Sequence, residues 1–141
     1  MANIILVGVD GSDTSRLAAH KAAELAAGLG ATLHVVSAVD KPATETIPAG
    51  GSTTRELSAG EAAERIAAQV AAELAPITTD VVSGPVQGKP AEALLFEAAR
   101  LEAKMIVVGN RRVQGISRIL GSVATDVAQK APCDVYIVKT V

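Results

Sequence analysis

The sequence predicts an open parallel α/β sheet with helices on both faces, and three observations support this fold class. Short unbroken apolar runs, typical of strands covered on both faces, alternate with amphipathic stretches of helical period. The alternation gives five strands and four helices in the order βαβαβαβαβ. The chain has 141 residues, of which 49% are hydrophobic, and this suits one domain with ample apolar surface for a core. We therefore expect a single domain over residues 1–141.

The first half of the chain sets the alternation. Asn3–Val9 is an unbroken apolar run that predicts a buried strand, and the polar segment Asp10–Thr14 ends it. Ser15–Gly30 has apolar residues at helical spacing and ends in glycine, which predicts a helix. Thr32–Val39 predicts a second strand, reached by a right-handed crossover. Asp40–Thr54 contains prolines and glycines without a period, and it predicts a mobile loop over one edge of the sheet.

The second half contains three further helices and three further strands. Apolar residues recur at steps of three and four in the helices, whereas the strands are short apolar runs. The third strand is the most polar, and this polarity suits the edge of a sheet. The segments are the helix Ser58–Leu74, the strand Ile77–Val82, the turn Ser83–Gly88, the helix Pro90–Ala103, the strand Met105–Val108, the connection Gly109–Gly121, the helix Ser122–Ala131 and the strand Val135–Val138.

Composition excludes several classes of function. The chain has 13 basic and 15 acidic residues and a net charge of −2, which argues against general attraction to DNA or to anionic membranes. Phe96 and Tyr136 are the only aromatic residues, too few for a surface that stacks nucleic-acid bases. Cys133 is the only cysteine, so there is no disulfide framework or thiolate cluster. The apolar run Ile4–Val9 is far shorter than the roughly 20 residues of a membrane span. We expect a cytoplasmic protein without nucleic-acid or membrane partners.

Two loops are the candidate ligand-binding segments. Ligands of open parallel sheets bind beyond the carboxyl ends of the strands, where adjacent strands send their connections to opposite faces. Asp10–Thr14 follows the first strand, and Gly109–Ser122 follows the fourth. If the strand order is 3-2-1-4-5, these two loops face each other across a crevice.

The second of these loops is basic and suits an anion. Glycines lead into a helix whose first turn offers the N–H groups of Ser122 and Val123, and such a turn favours phosphate. In the alternative interpretation the arginines form a solvated turn, Gly115 and Gly121 serve backbone geometry, and Ser122 only caps the helix. Between residues 103 and 125 every charged residue is basic: Lys104, Arg111, Arg112 and Arg118.

Five segments, spread over the whole chain, are informative when they are considered together: Ile5–Ser12, Val35–Asp40, Ile106–Gly109, Leu120–Val123 and Ala131–Val138. Together they resemble the universal stress protein family, whose ATP-binding members carry Gly-x2-Gly-x9-Gly-Ser/Thr between strand four and helix four. The resemblance implies a Rossmann-like sheet of order 3-2-1-4-5, similar to that of adenine nucleotide alpha hydrolases. It also implies a stress-response or regulatory protein, commonly a homodimer, that binds an adenine nucleotide, either ATP or AMP.

The resemblance also implies contacts at individual positions of this sequence. Val9 and Asp10 would meet adenine and ribose, and Ala38 would line the adenine slot. From the residues alone, Asp10 is either an acceptor for a ribose hydroxyl or a cap of the next helix. The ribose and the phosphates would lie against Gly109, Gly121, Ser122 and Val123.

The chain departs from the family motif in the basic loop. The second motif glycine falls on Arg112, and Gly109 to Gly121 spans one residue fewer than the motif. Arginine lacks the conformational freedom of glycine, but its guanidinium binds phosphate through two parallel hydrogen bonds. We therefore include Arg111 and Arg112 as phosphate ligands, with Gly115 supplying the bend. In the alternative hypothesis, Arg112 and the shortened loop prevent nucleotide binding, and the protein acts through protein partners.

The residues near the crevice do not predict efficient catalysis. Asp10 is the only acid that we place there, so the sequence offers no separate general base beside the basic loop. We predict no catalytic residues and no metal-ligating residues, and Mg²⁺ is expected only with ATP. Slow hydrolysis of ATP stays open. A third hypothesis is an enzyme of the same fold, such as a nucleotide α-hydrolase relative or an electron-transfer flavoprotein subunit.

The last strand predicts self-association. Asp134–Lys139 is largely apolar and would lie at an edge of the sheet, and an unprotected apolar edge favours pairing with another strand. We expect two such strands to meet antiparallel across a twofold axis, which gives a homodimer. The resemblance implies the same assembly.

Overall fold

The computed structural model describes residues 3–40, 58–111 and 120–140 of the chain. The predicted loop Asp40–Thr54 lies outside the described residues from position 41 onwards, and so do residues 112–119 of the predicted connection after the fourth strand. Within these described residues, nine elements alternate: β1 Ile4–Gly8, α1 Asp13–Leu29, β2 Thr32–Val39, α2 Ala59–Glu73, β3 Val81–Gln87, α3 Pro90–Leu101, β4 Met105–Gly109, α4 Ser122–Lys130 and β5 Asp134–Val138.

The strands form one parallel sheet of order β3-β2-β1-β4-β5. Both the predicted fold class and the predicted strand order are therefore confirmed. The central strand β1 is apolar throughout, and its residues Ile5, Leu6 and Val7 are fully buried. A strand covered on both faces needs this unbroken apolar pattern, because alternate side chains point into opposite layers.

Each face of the sheet has its own core. The helices α1 and α2 pack on one face, where small side chains such as Ala22 and Ala67 allow close contact with the strands. The helices α3 and α4 cover the other face, with Leu94 and Val127 in the second core. The chain therefore leaves β1 toward one face and leaves β4 toward the other. This divergence of neighbouring connections opens a crevice at the carboxyl edge of the sheet.

The third strand lies further along the chain than the sequence predicted. The prediction placed it at Ile77–Val82 and placed a turn at Ser83–Gly88, but β3 is formed by Val81–Gln87. Gly84 and Pro85 indicate a turn when read alone. They are tolerated in β3 because this strand is at an edge and, among the described strands, pairs with β2 alone, so the missing N–H of proline need not break the ladder. The expected edge position was correct.

Candidate functional site

A cavity of about 720 Å³ opens at the carboxyl edge of the sheet, between the turn after β1 and the start of α4. This volume is in the range of sites for small molecules and cofactors. Eight of the ten residues that the sequence analysis selected line this cavity: Val9, Asp10, Ala38, Gly109, Arg111, Gly121, Ser122 and Val123. The other two, Arg112 and Gly115, lie outside the described residues.

The turn after β1 is held by its own side chains. Gly11 has a φ of +85°, a conformation that favours glycine, and it reverses the chain after β1. Ser12 is the N-cap of α1, and its hydroxyl accepts a hydrogen bond from the Ser15 N–H at 3.2 Å. The cap of α1 is therefore Ser12 and not Asp10, whose carboxylate supports this turn without capping the helix itself.

The carboxylate of Asp10 joins the two loops that the sequence analysis selected. Its Oδ1 accepts hydrogen bonds from the Ser12 N–H, at 2.9 Å, and from the Ser12 hydroxyl. Its Oδ2 accepts a hydrogen bond from Nη1 of Arg111 at 3.3 Å. Partial burial raises the pKa of Asp10, but the hydrogen bonds from Ser12, the nearby hydroxyl of Ser15 and the charge of Arg111 outweigh burial and lower the pKa overall. Asp10 is therefore an anion at neutral pH.

The start of α4 faces the cavity and has no side-chain cap. Its N-cap is Gly121, which provides no side-chain hydrogen bond, and its first turn contains no acidic residue. The N–H groups of Ser122 and Val123 are in the first turn, where an α-helix provides no internal acceptor. These N–H groups and the positive end of the helix dipole make this part of the cavity favourable for an anion.

The loop that begins at Gly109 is anchored beside β5. The side chain of Asn110 accepts hydrogen bonds from the N–H and the hydroxyl of Thr140, at 2.8 and 3.1 Å. The N–H of Asn110 donates to the carbonyl of Val138 at 2.9 Å. These bonds fix the backbone immediately before Arg111, the only positively charged side chain among the described residues that line the cavity.

One wall of the cavity was missed by the sequence analysis. The first turns of α3 contribute Pro90, Ala93 and Leu94 to the lining, and none of these residues was among the predicted site residues. A right-handed crossover from the edge strand β3 to β4 must pass over β2 and β1, so α3 begins above the crevice. The position of α3 can therefore be deduced from the strand order and the handedness of the crossover.

A glycine in β1 allows that wall to approach the sheet. A Cβ atom built on Gly8 would lie 3.2 Å from both terminal methyl carbons of Leu94. Contacts this short require the leucine to move, so the absence of a side chain at Gly8 lets Leu94 pack directly over the strand. The result is an apolar wall within the lining of the cavity.

The family model of the universal stress protein family matches residues 1–139. The chain belongs to the universal stress protein family. This membership confirms the resemblance seen in the sequence. No helix in the described part of the chain is long and apolar enough to span a bilayer.

Curated relatives in this family come from distant organisms. A universal stress protein of Mycobacterium tuberculosis is 36% identical over 140 residues, which cover 96% of this chain and 48% of that protein. A universal stress protein of Thermus aquaticus is 34% identical over 140 residues, which cover 99% of this chain and 100% of that protein. The chain thus spans about half the length of the Mycobacterium relative and the full length of the Thermus relative.

Solved universal stress proteins share the fold, and two of them hold adenine nucleotides. A crystal structure of a universal stress protein in complex with cAMP has a TM-score of 0.79 and 32% identity, and the match covers 99% of this chain and 98% of that one. The structure of a universal stress protein of Archaeoglobus fulgidus in complex with dAMP has a TM-score of 0.71 and 25% identity, with coverage of 99% and 98%.

Proposed function

We propose that this chain binds an adenine nucleotide, ATP or AMP, in the cavity at the carboxyl edge of its sheet and acts in a stress response through occupancy of that site. The observation that carries the proposal is that one cavity combines two kinds of lining. Pro90, Ala93 and Leu94 of α3 are apolar, whereas Arg111 and the uncapped start of α4 favour an anion. An adenine nucleotide likewise combines a flat base with phosphate.

We assign the adenine base to the apolar part of the lining. Pro90 and Leu94 offer apolar surface to its faces. The edge of the base needs hydrogen-bonding partners, and the end of β2 offers them. The register of β1 with β2 ends at Gly8 opposite Val36, and the Val9 N–H donates to the Val36 carbonyl. Ala38, two residues further, turns its backbone N–H and carbonyl toward the same edge, above the end of β1.

We assign the ribose and the phosphates to the polar part of the lining. Asp10 is the acceptor that we assign to a ribose hydroxyl. Gly109, Gly121, Ser122 and Val123 would surround the phosphates, because glycine allows close approach of the backbone and the first turn of α4 offers N–H donors. Mg²⁺ belongs to this proposal only as the companion of ATP, since magnesium at such sites is held largely by phosphate and water.

The relatives support an adenine nucleotide over other anions. Both cAMP and dAMP, the ligands of the two solved relatives, contain adenine and phosphate. The chain matches each of these structures over 99% of its length. Our proposal extends this ligand class to the present chain.

The lining supports binding without efficient catalysis. Among the described residues of the cavity, Asp10 is the only carboxylate and there is no histidine. The Asp10 carboxylate already accepts hydrogen bonds from Ser12 and Arg111, so it is poorly suited to take a proton from an attacking water. A regulatory role through occupancy is consistent with this lining.

Calorimetry with AMP and ATP tests the proposed function. We expect one nucleotide to bind per chain, and we expect Gly121→Ala to weaken binding about tenfold, because its methyl group meets the phosphates. Gly28→Ala is the matched control, since a Cβ there meets nothing within 4 Å and the residue does not line the cavity. No binding heat with any adenine nucleotide would contradict the proposal and favour the alternative, a universal stress protein that acts through protein partners.

We also propose a homodimer formed through the segment Asp134–Lys139. The strand β5 is an edge strand that pairs with β4 on one side, and its Tyr136 is exposed. The opposite edge, β3, carries Pro85, whose missing N–H weakens strand pairing. Light scattering at micromolar concentration should give the mass of two chains, and Ile137→Pro should give the mass of one. A monomeric wild-type protein would contradict this proposal.

A further inference from the structure

The two oxygens of the Asp10 carboxylate are used differently. Oδ1 accepts two hydrogen bonds, both from Ser12, and Ser12 is fixed because it caps α1. A carboxylate oxygen has two acceptor positions, so Oδ1 is filled. Oδ2 accepts one hydrogen bond, from Arg111. One acceptor position therefore remains on the carboxylate, and it lies beside the guanidinium.

A ribose diol and Arg111 compete for this remaining oxygen. A diol binds a carboxylate best through two hydrogen bonds, but the Asp10 carboxylate has only one open acceptor position while Arg111 is in place. Little free energy is needed to open the ion pair, because the side chains of Arg111 and Asp10 are 59% and 60% exposed and exposed ion pairs are weak. The pair is thus weak enough to exchange for another anion.

We propose that Arg111 makes the cavity select nucleotides over nucleosides by exchanging the Asp10 carboxylate for a phosphate group. In the free protein Arg111 pairs with Asp10. When a ribose diol takes both positions on Oδ2, the guanidinium turns to the phosphate beside the start of α4, which lines the same cavity. A nucleoside opens the pair and gives Arg111 no new anion, whereas a nucleotide replaces one anion with another. This inference rests on the proposed function and adds a determinant of specificity to it.

The phosphate is also the better partner for the guanidinium. It offers three acceptor oxygens and matches the planar fork of arginine through parallel hydrogen bonds. It would also lie against the free N–H groups of the first turn of α4, so that two independent sources of positive potential act on it. The carboxylate of Asp10, in contrast, keeps its hydrogen bonds from Ser12 when Arg111 leaves.

The test compares the affinities of AMP and adenosine by calorimetry for wild type and Arg111→Gln. We expect Arg111→Gln to bind AMP about tenfold more weakly, the usual effect of losing one charge-assisted hydrogen bond. Adenosine should bind as tightly as to wild type or slightly more tightly, because no ion pair has to open. The preference for AMP over adenosine therefore falls at least tenfold, and Arg111→Lys should retain part of it.

Lys104→Gln is the control for total charge. It also removes one positive charge, but Lys104 precedes β4 and does not line the cavity, so it should keep the wild-type preference. If Arg111→Gln weakens AMP and adenosine equally, or leaves their ratio unchanged, the exchange is wrong although the cavity binds nucleotides. If neither ligand binds to wild type, the proposed function is wrong, and the exchange with it.

Discussion

The helices α1 and α4 both begin at the carboxyl edge of the sheet and face the same cavity, but their first turns differ in capping and in charge. The start of α1 is closed by its own residues, because Ser12 caps it and Asp13 supplies a negative charge in the first turn. The start of α4 has Gly121 at the N-cap, no side-chain cap and no acid in its first turn. Each of the other three helices has an acidic residue in its first turn.

The start of α1 is stabilised by the protein's own side chains, whereas the start of α4 is suited to a ligand. Serine, threonine and aspartate are preferred at the N-cap because their oxygens satisfy backbone N–H groups that the helix leaves unpaired. The sequence uses this solution at α1 and α2 but not at α4, whose N–H groups face a cavity that also contains Arg111. A helix start that gives up this stabilisation and carries no repelling acid is well suited to an external anion.

The largest expected effect comes from making α4 resemble α1. Gly121→Asp supplies a capping oxygen and a negative charge, and the backbone at this position, with φ −59° and ψ 158°, accepts any L residue. We expect the affinity for AMP to fall about a hundredfold through repulsion of phosphate, and the free energy of unfolding to rise by about 1 kcal/mol. Calorimetry and urea denaturation measure the two effects. Unchanged AMP binding would mean that α4 is not the phosphate end.

An intermediate effect is expected when the cap of α1 is removed. Ser12→Ala should lower the free energy of unfolding by about 1 kcal/mol, and Ser58→Ala should do the same at α2, where Ser58 accepts from the Glu61 N–H at 3.1 Å. Only Ser12→Ala should also weaken AMP binding, because Ser12 holds Oδ1 of Asp10. Equal effects of both variants on AMP affinity would argue against a role of the α1 turn in the ligand site.

The smallest effect concerns acid stability. The lowered pKa of Asp10 means that this carboxylate stabilises the fold fully above its ordinary pKa of 3.8, and that this stabilisation is lost as the pH falls through the lowered value. Asp10→Asn should therefore show a shallower fall in unfolding free energy below about pH 4, and the difference should be small because the side chain is 60% exposed. Gly121→Ala should keep the wild-type slope, since the first turn of α4 has no titratable group. Urea denaturation across this pH range measures both slopes.

Most of the fold could be predicted because its signals are local. The apolar runs of β1 and β4 and the helical spacing in α1 are strong patterns, and parallel connections leave few topologies. The predicted bounds of β3 were wrong because Ser83, Gly84 and Pro85 are typical of a turn when only the local sequence is considered. Only the edge position, a property of the whole sheet, makes a proline acceptable there.

The position of the cavity could be predicted from the sequence, and the contacts within it less so. The rule that ligands bind where neighbouring connections diverge located Asp10 and the start of α4. The ion pair between Asp10 and Arg111 joins residues far apart in the sequence, and the reach of a long arginine side chain cannot be deduced from spacing. The wall formed by Leu94 depends on the path of α3 across the sheet, a consequence of strand order.

The hydrogen bonds between Thr140 and Asn110 connect the segment after β5 to the residue immediately before Arg111. Neither Asn110 nor Thr140 belongs to either buried core. The position of the guanidinium therefore depends on a contact at the rim of the sheet and not on core packing alone.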